Sequence, residues 1–469
     1  SAASDVYKRQ LDTIDHPPDL LLLRLQIRHA RTLALQHDPS ARPVLTAAAR
    51  RARDLDELPL MIDAICAMVP TPGGASTPGR IDEMYIDLAE QALARTDATP
   101  SRHRVRIMAA LGVDLRLSTD QAQRGIELLD QAVSDAEQLD DDITLGLAML
   151  SWQYRGFGPV DLPQALDRAR QLRAVGHRTG ELVLVITGRL LAGRCHLLRG
   201  DIAAVAEELR LCPSGGAPFI QLSAAAQDVV AVALGGDIPR ARQRLDELEV
   251  AAQAFGSTGM DRIFAPMDLI VRFWEGRTDG QEARISALRS GLTALVPSLD
   301  GATAVIAACA GRHAEAGEIL DRYVGDNTDH GWQSDYLAAF ATAHFSYAAI
   351  LGGRRDLANS LLRLLDEFAE HLVGTGTFVL MSADGLRADL LRMLGRLDEA
   401  VDTAKRATNA SRRHHTEVLL GYELVVLADA MRAAEDKNGI AKTVAEAASL
   451  AQSTGGRRIR LELARRQLQ

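Results

Sequence analysis

The stretch that decides the fold is "LLRMLGRLDEAVDTAKRAT", residues 390–408. Apolar residues at helical spacing end at Leu394, and Gly395 follows them. A residue just past a helix end often needs a positive φ, which glycine adopts without strain. Asp398 and Glu399 then stand in the first turn of a second helix, where the helix dipole favours negative charge. The stretch therefore predicts two antiparallel helices joined by a tight glycine turn.

The same arrangement recurs through the second half of the chain. The predicted turn glycines are Gly200, Gly236, Gly276, Gly311, Gly353 and Gly395. Their successive separations are 36, 40, 35, 42 and 42 residues. A turn glycine that recurs about every forty residues between helical segments is typical of stacked helical hairpins. The sequence therefore predicts an all-α fold, an α-solenoid of TPR-like antiparallel hairpins that winds as a right-handed superhelix.

One position in each repeat indicates how closely the two helices pack. Five residues after each glycine come Val205, Ala241, Gln281, Ala316, Ala358 and Ala400. All except Gln281 are small or β-branched apolar residues, which allow two helices to approach closely. We therefore expect Ala400 and Ala404 to face the neighbouring helix and Asp402 to face solvent.

The remaining segments divide the chain into four parts. Residues 1–10, "SAASDVYKRQ", resemble translated adapter sequence, so we expect a non-native or disordered flank. We assign residues 11–68 to N-terminal helices, 69–80 to a Pro/Gly-rich loop, and 81–469 to TPR-like repeats. Strand patterns are nearly absent, and "ELVLVITGRLL" is better explained as a buried helix.

The composition excludes several classes of protein. The net charge of −9 gives no general footprint for nucleic acid, so we expect no direct nucleic-acid contact. No apolar run approaches the length of a membrane span, and no signal peptide is present. The four cysteines are scattered without a CxxC pair, which indicates free thiols in a reducing cytoplasm.

Motifs for catalysis are also lacking. The sequence contains no GxxxxGK[ST] phosphate loop, no HExxH zinc motif and no GxSxG nucleophile turn. The adjacent His414 and His415 point about 100° apart on a helix and cannot easily share a metal. We therefore expect no enzyme activity, no metal and no cofactor in this chain.

A few aromatic and basic residues are candidates for binding a partner. Trp152, Tyr154 and Arg155 cluster in "LSWQYRGFGPVD", and Trp332 stands at a predicted helix start. Aromatic residues with arginine can anchor a ligand in a groove, but we favour the alternative that these residues fill gaps between hairpins.

Other conspicuous residues are better explained by the structure of the chain. We expect Phe273, Trp274 and His344 to lie in the core. The final "GGRRIRLELARRQLQ" carries five arginines that suit phosphate contact. We expect it to form a solvated last helix, because no helix-turn-helix partner accompanies it.

With the repeats established, the chain resembles the tetratricopeptide-like helical region of MalT/LuxR-type bacterial regulators and of related ATPase-containing cyclases. "RADLLRMLGRLDEAVDTAKRATNASRR" (residues 387–413) is similar to a late repeat of that family, and residues 160–209 resemble its middle. In the family an ATPase usually precedes this region and a DNA-binding domain often follows; in other members a cyclase stands at the front. The resemblance implies that these domains are missing from this fragment.

The resemblance implies a regulatory role. A non-catalytic sensor region would bind a protein or peptide partner, or a small effector, on the concave face of the solenoid. Two alternatives are a free-standing TPR-like interaction scaffold and the helical region of an ATPase-containing nucleotide cyclase.

Overall fold

A computed structural model describes residues 19–35, 38, 40–68, 82–116, 121–156, 158–213, 218–254, 261–289, 296–325, 332–333 and 336–468. The proposed flank at residues 1–10 and the loop at residues 69–80 lie outside this described part. Within it the chain forms 23 α-helices, a few 3₁₀ turns and one β-hairpin.

The helices follow one another along the chain with short connections. They are α1 (Asp19–Leu35), α2 (Ala41–Asp54), α3 (Leu58–Met68), α4 (Glu83–Ala94), α5 (Arg102–Arg116), α6 (Ala122–Glu137), α7 (Asp142–Trp152), α8 (Leu162–Thr179), α9 (Leu182–Leu198), α10 (Ile202–Arg210), α11 (Pro218–Leu234), α12 (Ile238–Ala254), α13 (Asp261–Trp274), α14 (Gln281–Arg289), α15 (Val296–Cys309), α16 (His313–Val324), α17 (Ala338–Gly352), α18 (Ala358–Asp366), α19 (Ala383–Leu394), α20 (Leu397–His414), α21 (Glu417–Ala433), α22 (Ile440–Ser453) and α23 (Arg457–Arg465).

The chain divides into two compact units. The first comprises residues 1–155 and 171–187, and the second comprises residues 156–170 and 188–469. In the first unit the helices pack around a core that includes Leu45, Met61 and Leu111. Helices α5 and α6 approach so closely there that a Cβ on Gly125 would lie 2.4 Å from the Arg116 backbone nitrogen.

The six turn glycines each lie between the two helices of one hairpin. Gly395 has a φ of +82°, and the other five have φ values between +66° and +97°. The Gly395 N–H donates to the Arg392 carbonyl at 3.0 Å, and the Arg396 N–H donates to the Leu391 carbonyl at 3.0 Å. This is the Schellman motif, which satisfies carbonyls that the helix end would leave unpaired. The recurrent glycine therefore follows from the left-handed backbone that closes each hairpin.

The residue five positions after each turn glycine is buried in all six hairpins. The polar member of the set, Gln281, is 2% exposed and donates to Asp268 Oδ2 at 2.7 Å. Asp268 in turn accepts hydrogen bonds from Arg242 and Arg284 of the neighbouring helices and from Arg272 of its own helix. A glutamine is tolerated at this closely packed position because its amide has a partner there.

The two helices of a hairpin differ in burial in the second unit. Two first helices are covered on all sides: α17 is buried continuously from Phe340 to Ile350, and α21 from Val418 to Met431. The second helices bury one face only, as α20 does. A helix that is apolar all round belongs in a protein interior. The first helices therefore form an inner layer and the second helices an outer layer.

Contacts between distant hairpins explain this complete burial. Helix α11 packs on α21, and α13 packs on α23. The Phe273 and Tyr347 rings lie 5.1 Å apart, and the Ile238 N–H donates to the Thr454 carbonyl at 3.2 Å. An open solenoid leaves the inner faces of its first helices free for a partner. In the second unit, the inner faces of α11, α13, α17 and α21 are instead covered by the chain's own helices.

A buried ion network joins α19, α21 and α23. We define it as Asp389, Asp429, Glu462 and Arg466. Arg466 Nη1 donates to Asp389 Oδ1 and to Asp429 Oδ2, each at 3.0 Å, and Nη2 donates to Glu462 Oε2 at 3.3 Å. The Tyr347 hydroxyl of α17 donates to Glu462 Oε1 at 2.6 Å. Helices α17, α19, α21 and α23 therefore meet at one buried polar cluster, whose charged groups hydrogen-bond to one another.

The last helix differs from its prediction. We expected a solvated helix, but Arg458 and Arg466 are each only 5% exposed. Arg458 Nε donates to the Phe273 carbonyl at 3.3 Å, and its guanidinium lies 4.8 Å from the Phe273 ring centroid. These contacts leave no signal in the local sequence, because Phe273, Asp389 and Asp429 lie on helices distant in sequence from α23.

A small β-hairpin is inserted between α18 and α19. Strand β1 (Leu372–Gly374) pairs antiparallel with β2 (Val379–Ser382), and every residue of both strands is buried. Arg194 of α9 donates from Nη2 to the Thr375 carbonyl at 3.2 Å. The sequence analysis missed these short strands. A seven-residue strand pattern interrupted by a glycine turn is too brief to stand out among helices.

The hairpin packing can be tested at α20. Ala400 and Ala404 are fully buried, whereas Asp402 is exposed and separated from them by about half a helix turn. Ala400→Leu should overpack the contact and lower the free energy of unfolding by about 1–3 kcal/mol. Asp402→Leu should change it by less than about 0.5 kcal/mol. Chemical denaturation of both variants provides the measurement; a larger loss for Asp402→Leu would contradict the observed orientation.

The ion network can be tested at Arg466. Arg466→Leu removes the cation that pairs with the buried carboxylates. It should lower the free energy of unfolding, measured with urea, by about 3–5 kcal/mol. Arg460→Leu, on the exposed side of α23, is the matched control and should cost less than about 0.5 kcal/mol. The network holds the pKa of Asp389 and of Glu462 below their ordinary values. The cost of Arg466→Leu should therefore shrink as the pH falls below about 4.

Candidate functional site

The aromatic cluster singled out in the sequence lies in the first unit and is largely internal. Trp152 is 1% exposed, and its Nε1 donates to Asp130 Oδ1 at 2.7 Å. Arg155 Nε donates to Asp130 Oδ2 at 3.1 Å, and Tyr154 is half-buried beside it. The cluster joins α6 to the turn after α7. This burial removes the Trp152 indole from any surface that a partner reaches.

Trp332 belongs to the second unit and is also internal. It is 5% exposed, and its Nε1 donates to the Tyr323 carbonyl at 2.9 Å. Its ring packs edge-on against Phe345 with centroids 5.3 Å apart. The Trp332 side chain therefore packs in the core and offers little surface to a partner.

The other conspicuous side chains are arranged for packing rather than for chemistry. His344 is fully buried, its Nδ1 lies 2.6 Å from the Phe340 carbonyl, and burial lowers its pKa to about 4. Burial also raises the thiol pKa of Cys66 to about 11 and of Cys195 to about 12. A thiol is a poor nucleophile when its pKa lies far above neutral pH.

The described residues offer neither a metal site nor a membrane-spanning helix. No group of three or more His, Cys, Asp or Glu side chains is placed to hold a metal ion. None of the described helices combines the length and the apolar character that crossing a membrane requires.

A polar groove opens on the outer layer between α18, α19 and α20. Its volume is about 580 Å³, within the range of ligand-binding clefts. Leu362 and Leu391 form an apolar floor. The charged groups around it are Arg363, Asp366, Arg387, Arg396, Glu399, Asp402 and Arg406. We call this surface the arginine groove.

The arginines of the groove differ in how fully they are paired. Arg396 Nη2 lies 2.5 Å from Glu399, and Arg387 Nη2 lies 3.0 Å from Asp366. Arg363 donates to the Ser360 hydroxyl at 3.0 Å, and Arg406 donates to the Thr403 hydroxyl at 3.0 Å. Neither Arg363 nor Arg406 has a carboxylate within hydrogen-bonding distance among the described residues. These two guanidinium groups therefore have donors suited to an anionic group.

A second, much smaller cavity lies beside the groove. Its volume is about 30 Å³, and Glu423 of α21 and Asp384 of α19 both line it. Glu423 is 1% exposed and Asp384 is 4% exposed. The Ser382 hydroxyl donates to Glu423 Oε1 at 2.5 Å, while it also caps α19 by accepting from the Gly385 N–H at 3.1 Å. We call this the acid cavity.

Burial dominates the ionisation of both carboxyl groups in the acid cavity. It raises the pKa of Glu423 to about 7, although hydrogen bonds from Ser382 and Ser411 oppose the shift. It also raises the pKa of Asp384, and the nearby Arg387 and Arg406 guanidinium groups reduce that effect. Desolvation disfavours a charged carboxylate, so a neutral or cation-paired state is preferred.

Part of each site is visible in the sequence. Arg396 and Arg406 lie in the stretch that decides the fold, and Arg387 lies just before it, but hairpin patterns do not distinguish these residues from solvated arginines. Glu423 was detectable as an acidic residue inside the apolar run "VLLGYELVVLADAM". Its neighbour in the cavity, Asp384, comes from a different hairpin, so no local pattern joins the two.

Comparisons with known proteins add little to this geometry. No known protein family matches the chain, and no curated protein matches it. A chain in the structure titled "Crystal structure of APC/C hetero-tetramer Cut9-Hcn1" is 11% identical, with a TM-score of 0.45 over 98% of this chain and 92% of that chain. A "circular tandem repeat protein with novel repeat topology and enhanced subunit contact surfaces" is 14% identical, with a TM-score of 0.15 over 99% of this chain and 96% of that one. With such low TM-scores, the fold assignment depends on the hairpins themselves.

The ionisation of Glu423 can be tested through stability. The folded state binds the Glu423 proton more tightly than the unfolded state, so stability should fall as the pH rises from about 4.5 to about 7. Glu423→Gln keeps an acceptor for Ser382 and removes this dependence. It should be more stable than the wild type at pH 8 by up to about 3 kcal/mol. Urea unfolding at pH 5 and pH 8 measures the effect; equal pH dependence in both proteins would contradict it.

Proposed function

We propose that this chain is the non-catalytic interaction region of a bacterial MalT/LuxR-type regulator, and that it binds an acidic segment of a protein partner in the arginine groove. The observation that carries the proposal is the contrast between the two layers of the second unit. The inner faces of its first helices are covered by the chain itself, while the outer layer presents a groove in which neither Arg363 nor Arg406 hydrogen-bonds to a carboxylate of the described residues. The Arg406 Nε atom lies 3.9 Å from Asp384 Oδ2, beyond hydrogen-bonding distance.

The chemistry of the groove supports an acidic ligand. Guanidinium groups match carboxylates through two parallel hydrogen bonds, which gives orientation as well as attraction. The apolar floor of Leu362 and Leu391 suits an aliphatic side chain between the acidic ones. The acids that already line the groove make it selective, because a ligand must place its carboxylates at Arg363 and Arg406 rather than anywhere on a basic surface.

The resemblance supports the regulatory part of the proposal. Residues 387–413, which are similar to a late repeat of the regulator family, contribute Arg387, Arg396 and Arg406 to the groove. A partner that binds one arrangement of the outer helices more tightly shifts the equilibrium by that difference in affinity. In this role the protein acts in the cytoplasm, and a separate ATPase, DNA-binding or cyclase domain supplies the output.

The binding of acidic ligands can be tested with a blocked hexaglutamate peptide. Its affinity for the full chain, measured by fluorescence anisotropy at low salt, should fall about tenfold in the double variant Arg363→Ala/Arg406→Ala. A blocked hexalysine peptide should not bind the groove.

The control must separate the groove from general charge attraction. Arg240→Ala/Arg460→Ala removes the same charge from exposed positions outside the groove and should leave hexaglutamate affinity within about twofold. An equal loss in both double variants would show that only net charge matters. Unchanged affinity in the groove variant would refute the site.

A further inference from the structure

The acid cavity contains two carboxylate oxygens that the protein leaves unpaired. Glu423 Oε2 and Asp384 Oδ1 have no hydrogen-bond partner among the described residues. Both residues are more than nine-tenths buried, and both line the same cavity of about 30 Å³. Two unpaired acceptors that flank one small space indicate a ligand that donates to both.

Buried carboxylate oxygens without hydrogen-bond partners can be stabilised in only a few ways. A buried carboxylate without a hydrogen-bond partner or counter-charge is strongly disfavoured, so it takes up a proton or a cation. Arg387 Nη1 lies 4.0 Å from Asp384 Oδ1, and Arg406 Nε lies 3.9 Å from Asp384 Oδ2. Both distances exceed a hydrogen bond, and no described arginine forms an ion pair with Glu423.

Other polar side chains line the cavity, and they come from each of the elements packed around it. They are Arg199, Glu370, His371, Ser382, Ser411, His414 and Thr416. Arg412 also acts on Glu423 through its charge. Glu370 is exposed beside the cavity with a φ of +64°, an uncommon backbone conformation for this residue. A third carboxylate therefore stands at the edge of the site.

The volume selects the kind of cation. About 30 Å³ accommodates one or two non-hydrogen atoms, enough for an ammonium nitrogen and the first carbon of its stem. A guanidinium or a quaternary ammonium group is too large for it. A divalent metal needs more ligands than this site offers, since no described group of three or more His, Cys, Asp or Glu side chains is placed to hold one.

A primary ammonium group meets these requirements. It is a single nitrogen with three N–H donors, and it carries the charge that two carboxylates need. The side chains of Leu372, Ala407 and Ala410 also line the cavity and suit a methylene stem. We propose that the acid cavity binds the primary ammonium group of a ligand, with Glu423 Oε2 and Asp384 Oδ1 as acceptors.

This chemistry has two possible sources, a free alkylamine and a lysine side chain of a partner protein. Isothermal titration calorimetry of the full chain at pH 8 distinguishes them with two probes, n-butylamine and a blocked Ala-Lys-Ala tripeptide. Binding of n-butylamine alone assigns the site to a free amine. Tighter binding of the tripeptide assigns it to a partner's lysine.

Variants locate the binding at the cavity. Glu423→Gln keeps the acceptor for Ser382 and should weaken amine binding about 10- to 100-fold. Asp384→Asn should act in the same direction. Asp398→Asn, which removes an exposed carboxylate of α20 outside the cavity, should leave the affinity unchanged. Because bound amine competes with the Glu423 proton, affinity should also fall between pH 8 and pH 6.

Several results would overturn the proposal. One is that tetramethylammonium binds as tightly as n-butylamine. A second is that folded Glu423→Gln keeps the full amine affinity. A third is that neither primary amine binds the wild type at concentrations up to about 10 mM. The acid cavity and the arginine groove have no lining residue in common, so hexaglutamate binding is measured in parallel. A variant that loses amine binding but keeps hexaglutamate binding, or the reverse, then distinguishes the two proposals.

Discussion

The second unit depends on burying Arg466. Its guanidinium lies among Asp389, Asp429 and Glu462, which come from three different helices, and it is 5% exposed. Removing these charges from water is costly, and only the nearly complete set of hydrogen bonds offsets that cost. The network therefore fixes the arrangement of α19, α21 and α23 more specifically than apolar packing alone, because a shift of any one helix would leave a buried charge unpaired.

This arrangement determines where a ligand can bind. Because α23 packs on α13 and contacts α17 through Tyr347 and Glu462, the inner faces of these first helices are covered by the chain. The surfaces that remain lie on the outer layer and at its junctions with the inner one. The arginine groove and the acid cavity are both at such junctions, around α19 and α20.

Asp384 lies between the two sites and influences both. Its carboxylate is within 4.0 Å of Arg387 and within 3.9 Å of Arg406, which belong to the groove, and it lines the acid cavity together with Glu423. An anion in the groove would compete for these arginines and leave Asp384 more in need of a cation. The two proposed ligands therefore have a physical route by which each favours the other, through charge rather than through a change of fold.

The sequence by itself determined the hairpins. Glycines at a spacing near forty residues fix the left-handed turns, as Gly395 shows, and the small residues that follow fix the buried face, as Ala400 shows. These features are local, since a helix end and its next turn lie within ten residues. Only the tertiary structure decided three other features. They are the burial of Arg458 and Arg466, the hairpin of β1 and β2, and the position of Glu423 beside Asp384 in one cavity. The buried arginines and the two carboxylates depend on residues from different hairpins, and a charged side chain has the same local pattern whether it meets water or a buried partner of opposite charge. The two short strands are buried by packing against α17 and by Arg194 of α9, which are distant in sequence.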